Sequence, residues 1–131
     1  MKKAFTMFEI LIVVLIVGII TAIALPNFMR SKESSLGEEA NLTLKLIQDA
    51  EQFYHIEHDA YINSTNISDI NSKLKLYIPT SESRSWDYKI ITPDAHNFTA
   101  KANRLTSNPD YIRTYCINQS ADEPYSDSCS W

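Results

Sequence analysis

Apolar residues are distributed very unevenly along the chain. From Phe5 to Leu25 there are 21 residues, and only Thr6, Glu9 and Thr21 are polar. As a helix this run rises roughly 31 Å at about 1.5 Å per residue, which matches the roughly 30 Å core of a bilayer. An ionised group at the centre of such a helix costs about 2.5–3.5 kcal/mol. We therefore expect a positively charged partner for Glu9.

The next segment, 36–54, has a helical period with two neighbouring apolar stripes. The first stripe contains Leu36, Ala40, Leu44, Ile47, Ala50 and Tyr54, and the second contains Leu42, Leu46, Phe53 and Ala60. Together they form an arc wider than a single contact needs. Either one stripe covers a sheet while the other meets neighbouring molecules, or both lie in one core.

The remainder predicts a small antiparallel sheet. Residues 61–85 are rich in Asn, Ser, Thr and Asp, which indicates a connecting loop with one short helix near Ile67–Leu76. Alternating patterns then predict three strands joined by turns, at 86–91, 98–102 and 111–117. With one apolar face on the long helix, this sheet gives an α+β fold.

Charge and cysteine content describe an exported, acidic domain. The formal net charge is −4, and it becomes −6 when Lys2 and Lys3 are removed with residues 1–4. An acidic exterior without a basic cluster argues against nucleic-acid binding. Cys116 and Cys129 both lie in the last 16 residues. In an exported domain, two cysteines placed in this way predict a disulfide that closes the C-terminal loop.

The residues at the start of the chain leave several interpretations of the apolar run open. Lys2 and Lys3 precede it, so the positive-inside rule leaves the N-terminus in the cytoplasm and residues 30–131 outside. Ala22-Ile23-Ala24 supplies a signal-peptidase pattern, which favours a released exported module. A simple membrane anchor is another interpretation of the same run. The length of the run and the presence of Glu9 count against an ordinary signal peptide.

Residues 2–14, Lys-Lys-Ala-Phe-Thr-Met-Phe-Glu-Ile-Leu-Ile-Val-Val, closely resemble the N-terminus of type IV pilins and related pseudopilins. The resemblance implies that a prepilin peptidase cuts between Ala4 and Phe5 and that the new amine of Phe5 is N-methylated. It also implies that Glu9 is the assembly residue, which pairs with such an amine in a neighbouring subunit. Gly18 and Pro26 fall where the family has its helix-weakening residues.

The resemblance has two departures from the family pattern. Ala4 stands where the family normally has glycine before the cut, so cleavage is expected to be slower. The glycine-rich, calcium-binding C-terminal loop of major pseudopilins has no counterpart, which favours a pilus subunit. The implied organisation is a leader at 1–4, a hydrophobic assembly helix at 5–28, an amphipathic continuation at 29–60 and a globular head at 61–131.

No residues suggest an enzyme or a cofactor site. A glycine-rich phosphate loop needs more glycines than Gly18 and Gly37. Glu51, His55 and His58 share a helical face at a spacing that suits a metal, but that face is polar, so a solvated surface is expected instead.

The sequence thus predicts a structural subunit that polymerises through its N-terminal helix. Its expected partners are copies of itself or related pilins, the prepilin peptidase, the pilus or secretion assembly platform and, before assembly, the cytoplasmic membrane. The alternatives are a minor pilin or pseudopilin that primes a filament, and a soluble binding module released by signal peptidase.

Overall fold

The computed structural model describes residues 4–127 and 129–131. Met1, Lys2 and Lys3, which belong to the predicted leader, lie outside the described residues. Contacts divide the chain into two units, Met1–Ser35 and Leu36–Trp131. One long helix, α1 (Met7–His58), contributes to both units, and each unit is described separately below.

In the first unit, α1 runs without interruption through Gly18 and Pro26. The polar Thr21 is accommodated because its hydroxyl donates to the carbonyl of Val17 at 2.7 Å, one turn earlier. The large apolar side chains from Met7 to Phe28 are exposed along this stretch.

In the second unit, α1 packs one face into the core. Ala40, Leu44 and Ile47 of the first predicted stripe are fully buried against the sheet. Gly37 allows the helix to approach closely, because a Cβ there would lie 3.3 Å from the hydroxyl of Tyr115. The core holds these helix residues together with Ile62, Ile67, Ile70, Leu74, Ile78, Trp86, Tyr88, Ile90, Phe98, Ala100, Ala102 and Ile117.

The predicted short helix is present as α2 (Ile67–Leu74). Asn66 caps its N-terminus, where the side-chain oxygen accepts the amide of Ser68 at 2.8 Å. Lys75 ends the helix in a left-handed conformation with φ of 57°. The helix therefore stops two residues before the predicted limit.

The sheet has three antiparallel strands in the order β1 (Trp86–Asp94), β2 (Asn97–Arg104) and β3 (Thr114–Asn118). The predicted meander is therefore correct, but the predicted start of the third strand at Tyr111 is wrong. Pro109–Tyr111 forms a 3-10 turn, and the Asn108 side chain caps it by accepting the amide of Asp110 at 3.0 Å. The strand begins three residues later.

Both outer strands of the sheet are covered by isolated bridges. Ser64 pairs with Ile90 on the outer side of β1, through hydrogen bonds of 3.0 and 2.7 Å. Tyr125 pairs in the same way with Cys116 of β3, at 2.8 and 2.9 Å. Two chain segments that are not themselves strands therefore occupy backbone groups that edge strands usually expose.

Candidate functional site

The predicted cleavage position precedes the regular helix. Ala4 and Phe5 lie in irregular, exposed backbone, and α1 begins at Met7. A peptidase needs an extended segment around the bond that it cuts, so this placement is compatible with a cut between Ala4 and Phe5.

Thr6 and Glu9 form a reciprocal cap at the start of α1. One carboxylate oxygen of Glu9 accepts the Thr6 amide at 3.0 Å and the Thr6 hydroxyl at 2.9 Å. The Thr6 hydroxyl in turn accepts the amide of Glu9 at 3.2 Å. This is a capping box, which satisfies amide donors that have no partner inside the helix. Thr6 was missed as a site residue, although Thr-x-x-Glu is the sequence signature of this cap.

The apolar stretch of α1 is long enough and apolar enough to cross a membrane. A Cβ added at Gly18 would meet nothing within 4 Å, so no close contact within the described residues requires glycine there. Pro26 lies inside the helix without ending it. The expected weakening of the helix at these two positions stays a prediction.

The second apolar stripe of α1 lies outside the core. Leu46 is 49% exposed and Phe53 is 63% exposed, whereas Leu44 on the neighbouring stripe is completely buried. The structure contradicts the interpretation in which both stripes lie in one core, because only the first stripe covers the sheet. Contact of the second stripe with neighbouring molecules stays a prediction. We call the four exposed apolar residues of this face the outer stripe: Leu42, Leu46, Phe53 and Ile56.

Of the three residues with metal-like spacing, His58 is exposed, as predicted, but Glu51 is buried, so the predicted solvated face is wrong at Glu51. Glu51 is completely buried, and burial raises the pKa of its carboxyl to about 7. His55 stacks on Tyr61 and His58 stacks on Tyr54, with ring centroids 4.4 and 4.0 Å apart. Among the described residues, no group of three or more His, Cys, Asp or Glu side chains is arranged to hold a metal ion.

A cleft of about 300 Å³ opens beside the outer stripe, between α1 and residues 77–88. Its charged lining residues are Glu39 and Arg84, and Arg84 is paired with Asp87 at 3.0 Å. Burial raises the pKa of Tyr88, another lining residue, to about 12, so its hydroxyl stays protonated at neutral pH.

The C-terminal tail is fastened to the outer face of the sheet. The predicted disulfide joins Cys116 of β3 to Cys129, with Cα atoms 5.8 Å apart. Beyond it, Lys101 donates to the carbonyl of Ser130 at 2.6 Å, and the ammonium of Lys89 lies 3.9 Å from the centre of the Trp131 ring. The helix adds a further link, because the buried Gln48 amide donates to two tail carbonyls, those of Asn118 and Ala121, at 2.7 and 2.8 Å.

Two known proteins are similar to part of this chain. This chain is 39% identical to the type IV major pilin protein PilA of Myxococcus xanthus DK1622 over 65 residues, which are half of this chain. Half of this chain is therefore similar to a type IV pilin. Over 58 residues, 44% of this chain, it is 34% identical to the competence protein ComGC of Halalkalibacterium halodurans.

The two matches cover only part of each relative: 30% of the length of PilA and 57% of the length of ComGC. The chain thus spans less than two thirds of the length of either curated protein. No family model matches the chain, and no solved structure matches it significantly. The two curated relatives nevertheless confirm the resemblance to type IV pilins that the sequence shows.

The candidate residues are distributed over one long helix and an α+β head. The long helix carries one apolar surface in the first unit of the chain and the outer stripe in the second unit. The three-stranded sheet and the disulfide-bonded tail belong to the α+β head. Every large apolar surface described above belongs to α1.

Proposed function

We propose that this protein is a structural subunit of a type IV pilus-like filament and that it polymerises through its N-terminal helix. The observation that supports this most strongly is the exposed apolar stretch of α1, with a single carboxylate in its first turn. Such a surface is unstable in water and needs either lipid or the apolar helices of other subunits.

Processing explains why a carboxylate is kept at the start of this helix. A prepilin peptidase removes residues 1–4, and the amine of Phe5 that it releases is positively charged and then N-methylated. In an apolar surrounding, opposite charges a few ångströms apart attract strongly. The carboxylate of Glu9 therefore pairs with the Phe5 amine of a neighbouring subunit, and this pair fixes the axial register between them.

The membrane holds the subunit before it assembles. The N-terminus faces the cytoplasm, the apolar helix crosses the bilayer and the head lies outside. The pilus or secretion assembly platform then transfers the subunit into an extracellular filament, where the outer stripe of α1 contacts neighbouring copies.

Mass spectrometry of protein recovered from the cell surface tests this proposal. The intact mass is expected to show loss of residues 1–4 and the addition of one methyl group on Phe5. A mature chain that starts at Leu25 would contradict the proposal, because signal peptidase would then have released a soluble module.

A minor pilin or pseudopilin that primes a filament is the second candidate. The similarity to the competence protein ComGC, which is pseudopilin-like, favours the pseudopilin part of this candidate. Quantifying this chain in sheared filaments separates the two roles. A main subunit forms most of the filament mass, whereas a priming subunit is present in a few copies per filament.

A further inference from the structure

After α1 ends, residues 59–64 bring the chain back to the outer edge of β1, and we call this stretch the crossing segment. Asp59 turns the chain with a φ of 53°, and Ser64 pairs with Ile90 of β1. Between them the buried Ile62 has no strand partner for its amide. That amide donates to Glu51 of α1 at 3.1 Å, and the carbonyl of Ile62 accepts the hydroxyl of Thr92.

Glu51 is an unusual residue to hold a backbone amide in this position. Its side chain is completely buried, and its other carboxylate oxygen is buried with no hydrogen-bond partner among the described residues. An ionised carboxylate can accept about four hydrogen bonds, and this one accepts a single bond from the described part of the chain. Burying such a charge is far more costly than burying the neutral acid.

The groups that pack on the crossing segment beside Glu51 are a histidine, a hydroxyl and aromatic rings. On α1 the next titratable residue of the same face is His55, which stacks on Tyr61 of the crossing segment. The sheet contributes the Thr92 hydroxyl from β1 and the Phe98 ring, 4.8 Å from Tyr61, from β2. Within residues 4–127 and 129–131, no lysine or arginine forms an ion pair with Glu51.

We propose that Glu51 is a protonation-dependent latch, which holds the crossing segment against the sheet when its carboxyl is neutral and loosens it when ionised. The neutral acid keeps an oxygen that accepts the Ile62 amide, and it avoids an unpaired buried charge. Ionisation favours a state in which the segment lifts and water reaches the carboxylate.

The pH range of the latch follows from the pKa of Glu51 in the two states. Burial raises that pKa from 4.5 to about 7 when the segment is docked, and water restores the lower value when it lifts. The docked state therefore holds its proton over a range in which the lifted state has lost it. Docking is strongest below pH 4.5, weakens as the pH rises to about 7, and is constant above that.

Hydrogen exchange on the full chain in detergent micelles tests the latch. Between pH 5 and pH 8, after correction for intrinsic rates, the protection of the Ile62 and Ser64 amides is expected to fall on the order of a hundredfold. The matched control is Glu51→Gln, which keeps an accepting oxygen and cannot ionise. Its protection is expected to change less than about twofold over the same range.

Three results would overturn the latch. They are constant protection in the unmodified chain, an equal fall in Glu51→Gln, and an equal fall for amides of the central strand β2, which would mean global unfolding. The carboxyl carbon shift of Glu51 provides a test without mutation. Titration near pH 7 supports the latch, and titration between pH 4 and 5 contradicts it.

Discussion

At the scale of single residues, Glu9 combines two properties that are separable by mutation. Its geometry caps α1, because one carboxylate oxygen accepts both the amide and the hydroxyl of Thr6. Its charge is the property that the proposed assembly step requires. Glutamine also serves in a capping box, so the two properties do not have to be lost together.

We expect Glu9→Gln and Glu9→Ala to abolish or strongly reduce filament yield when each is the only subunit, because both remove the charge that pairs with the Phe5 amine. Both variants should still insert into the membrane, since a more apolar helix partitions at least as well. The measurements are the amount of sheared filament and the amount of subunit in the membrane fraction.

Thr6→Ala is the control, because it removes the cap and leaves the charge. It is expected to weaken the start of the helix by about 1 kcal/mol while filaments still form. A normal yield from Glu9→Gln together with a failure of Thr6→Ala would show that Glu9 acts as a cap only.

Glu51 shows where residue-scale prediction from the sequence fails. Its spacing with His55 and His58 placed it on a polar face, and polar faces are normally solvated. The structure buries it because the crossing segment needs an acceptor for the amide of Ile62, a residue 11 positions further along the chain. No helical pattern contains that information, since it depends on where the chain returns.

At the scale of elements, α1 is a helix with two apolar stripes of similar composition and different burial. Leu44 packs in the core and Leu46, two residues later, is half exposed. The pair allows the contribution to folding to be compared with the contribution to assembly within one turn of helix.

We expect Leu44→Ala to cost about 2–5 kcal/mol of head stability, since it leaves a cavity in a packed core. Leu46→Ala and Phe53→Ser should each change that stability by less than about 1 kcal/mol, because neither side chain is in the core. Chemical unfolding of the purified chain in detergent measures these differences.

The Phe53→Ser variant also tests whether the outer stripe takes part in assembly. If it contacts neighbouring copies, Phe53→Ser is expected to reduce filament yield although the folded subunit reaches the membrane in normal amounts. An unchanged yield would remove the outer stripe from the assembly surface.

The elements themselves were largely predictable from the sequence, because long periodic patterns determine their type. The long helix and the three strands follow from periodicity, and the short turns between the strands give their order. The start of β3 did not, because Tyr111 continues an apolar alternation while Asn108 and Pro109 form a capped 3-10 turn that includes it. Local capping decided that boundary, and alternation alone does not detect it.

At the scale of the whole molecule, the disulfide closes a loop that exposed side-chain contacts hold only weakly. The ion pair of Lys45 with Glu123 has a 2.5 Å contact, but both side chains are exposed, so it contributes at most about 1 kcal/mol. The Lys89–Trp131 contact is of similar size. The bond between Cys116 and Cys129 is the covalent restraint on the tail, and it acts beside the Gln48 hydrogen bonds and the Tyr125 bridge.

Replacing Cys116 and Cys129 together with serine is expected to cost about 3 kcal/mol of head stability and to lower filament yield. Cleavage before Phe5 should be unaffected, because the peptidase acts at the other end of the chain. Trp131→Ala is the matched control, with an expected cost of about 0.5–1 kcal/mol. Labelling of both thiols in unreduced surface protein would contradict the bond.

The bridges at Ser64 and Tyr125 have a consequence for crowding. Subunits that wait in a membrane are confined to two dimensions at high local concentration, where an open sheet edge can template the edge of the next molecule. Here both outer strands already carry a backbone partner from their own chain. Each partner interrupts the open edge at one residue position and so opposes edge-to-edge association. In the proposed filament, growth is then left to the apolar surfaces of α1.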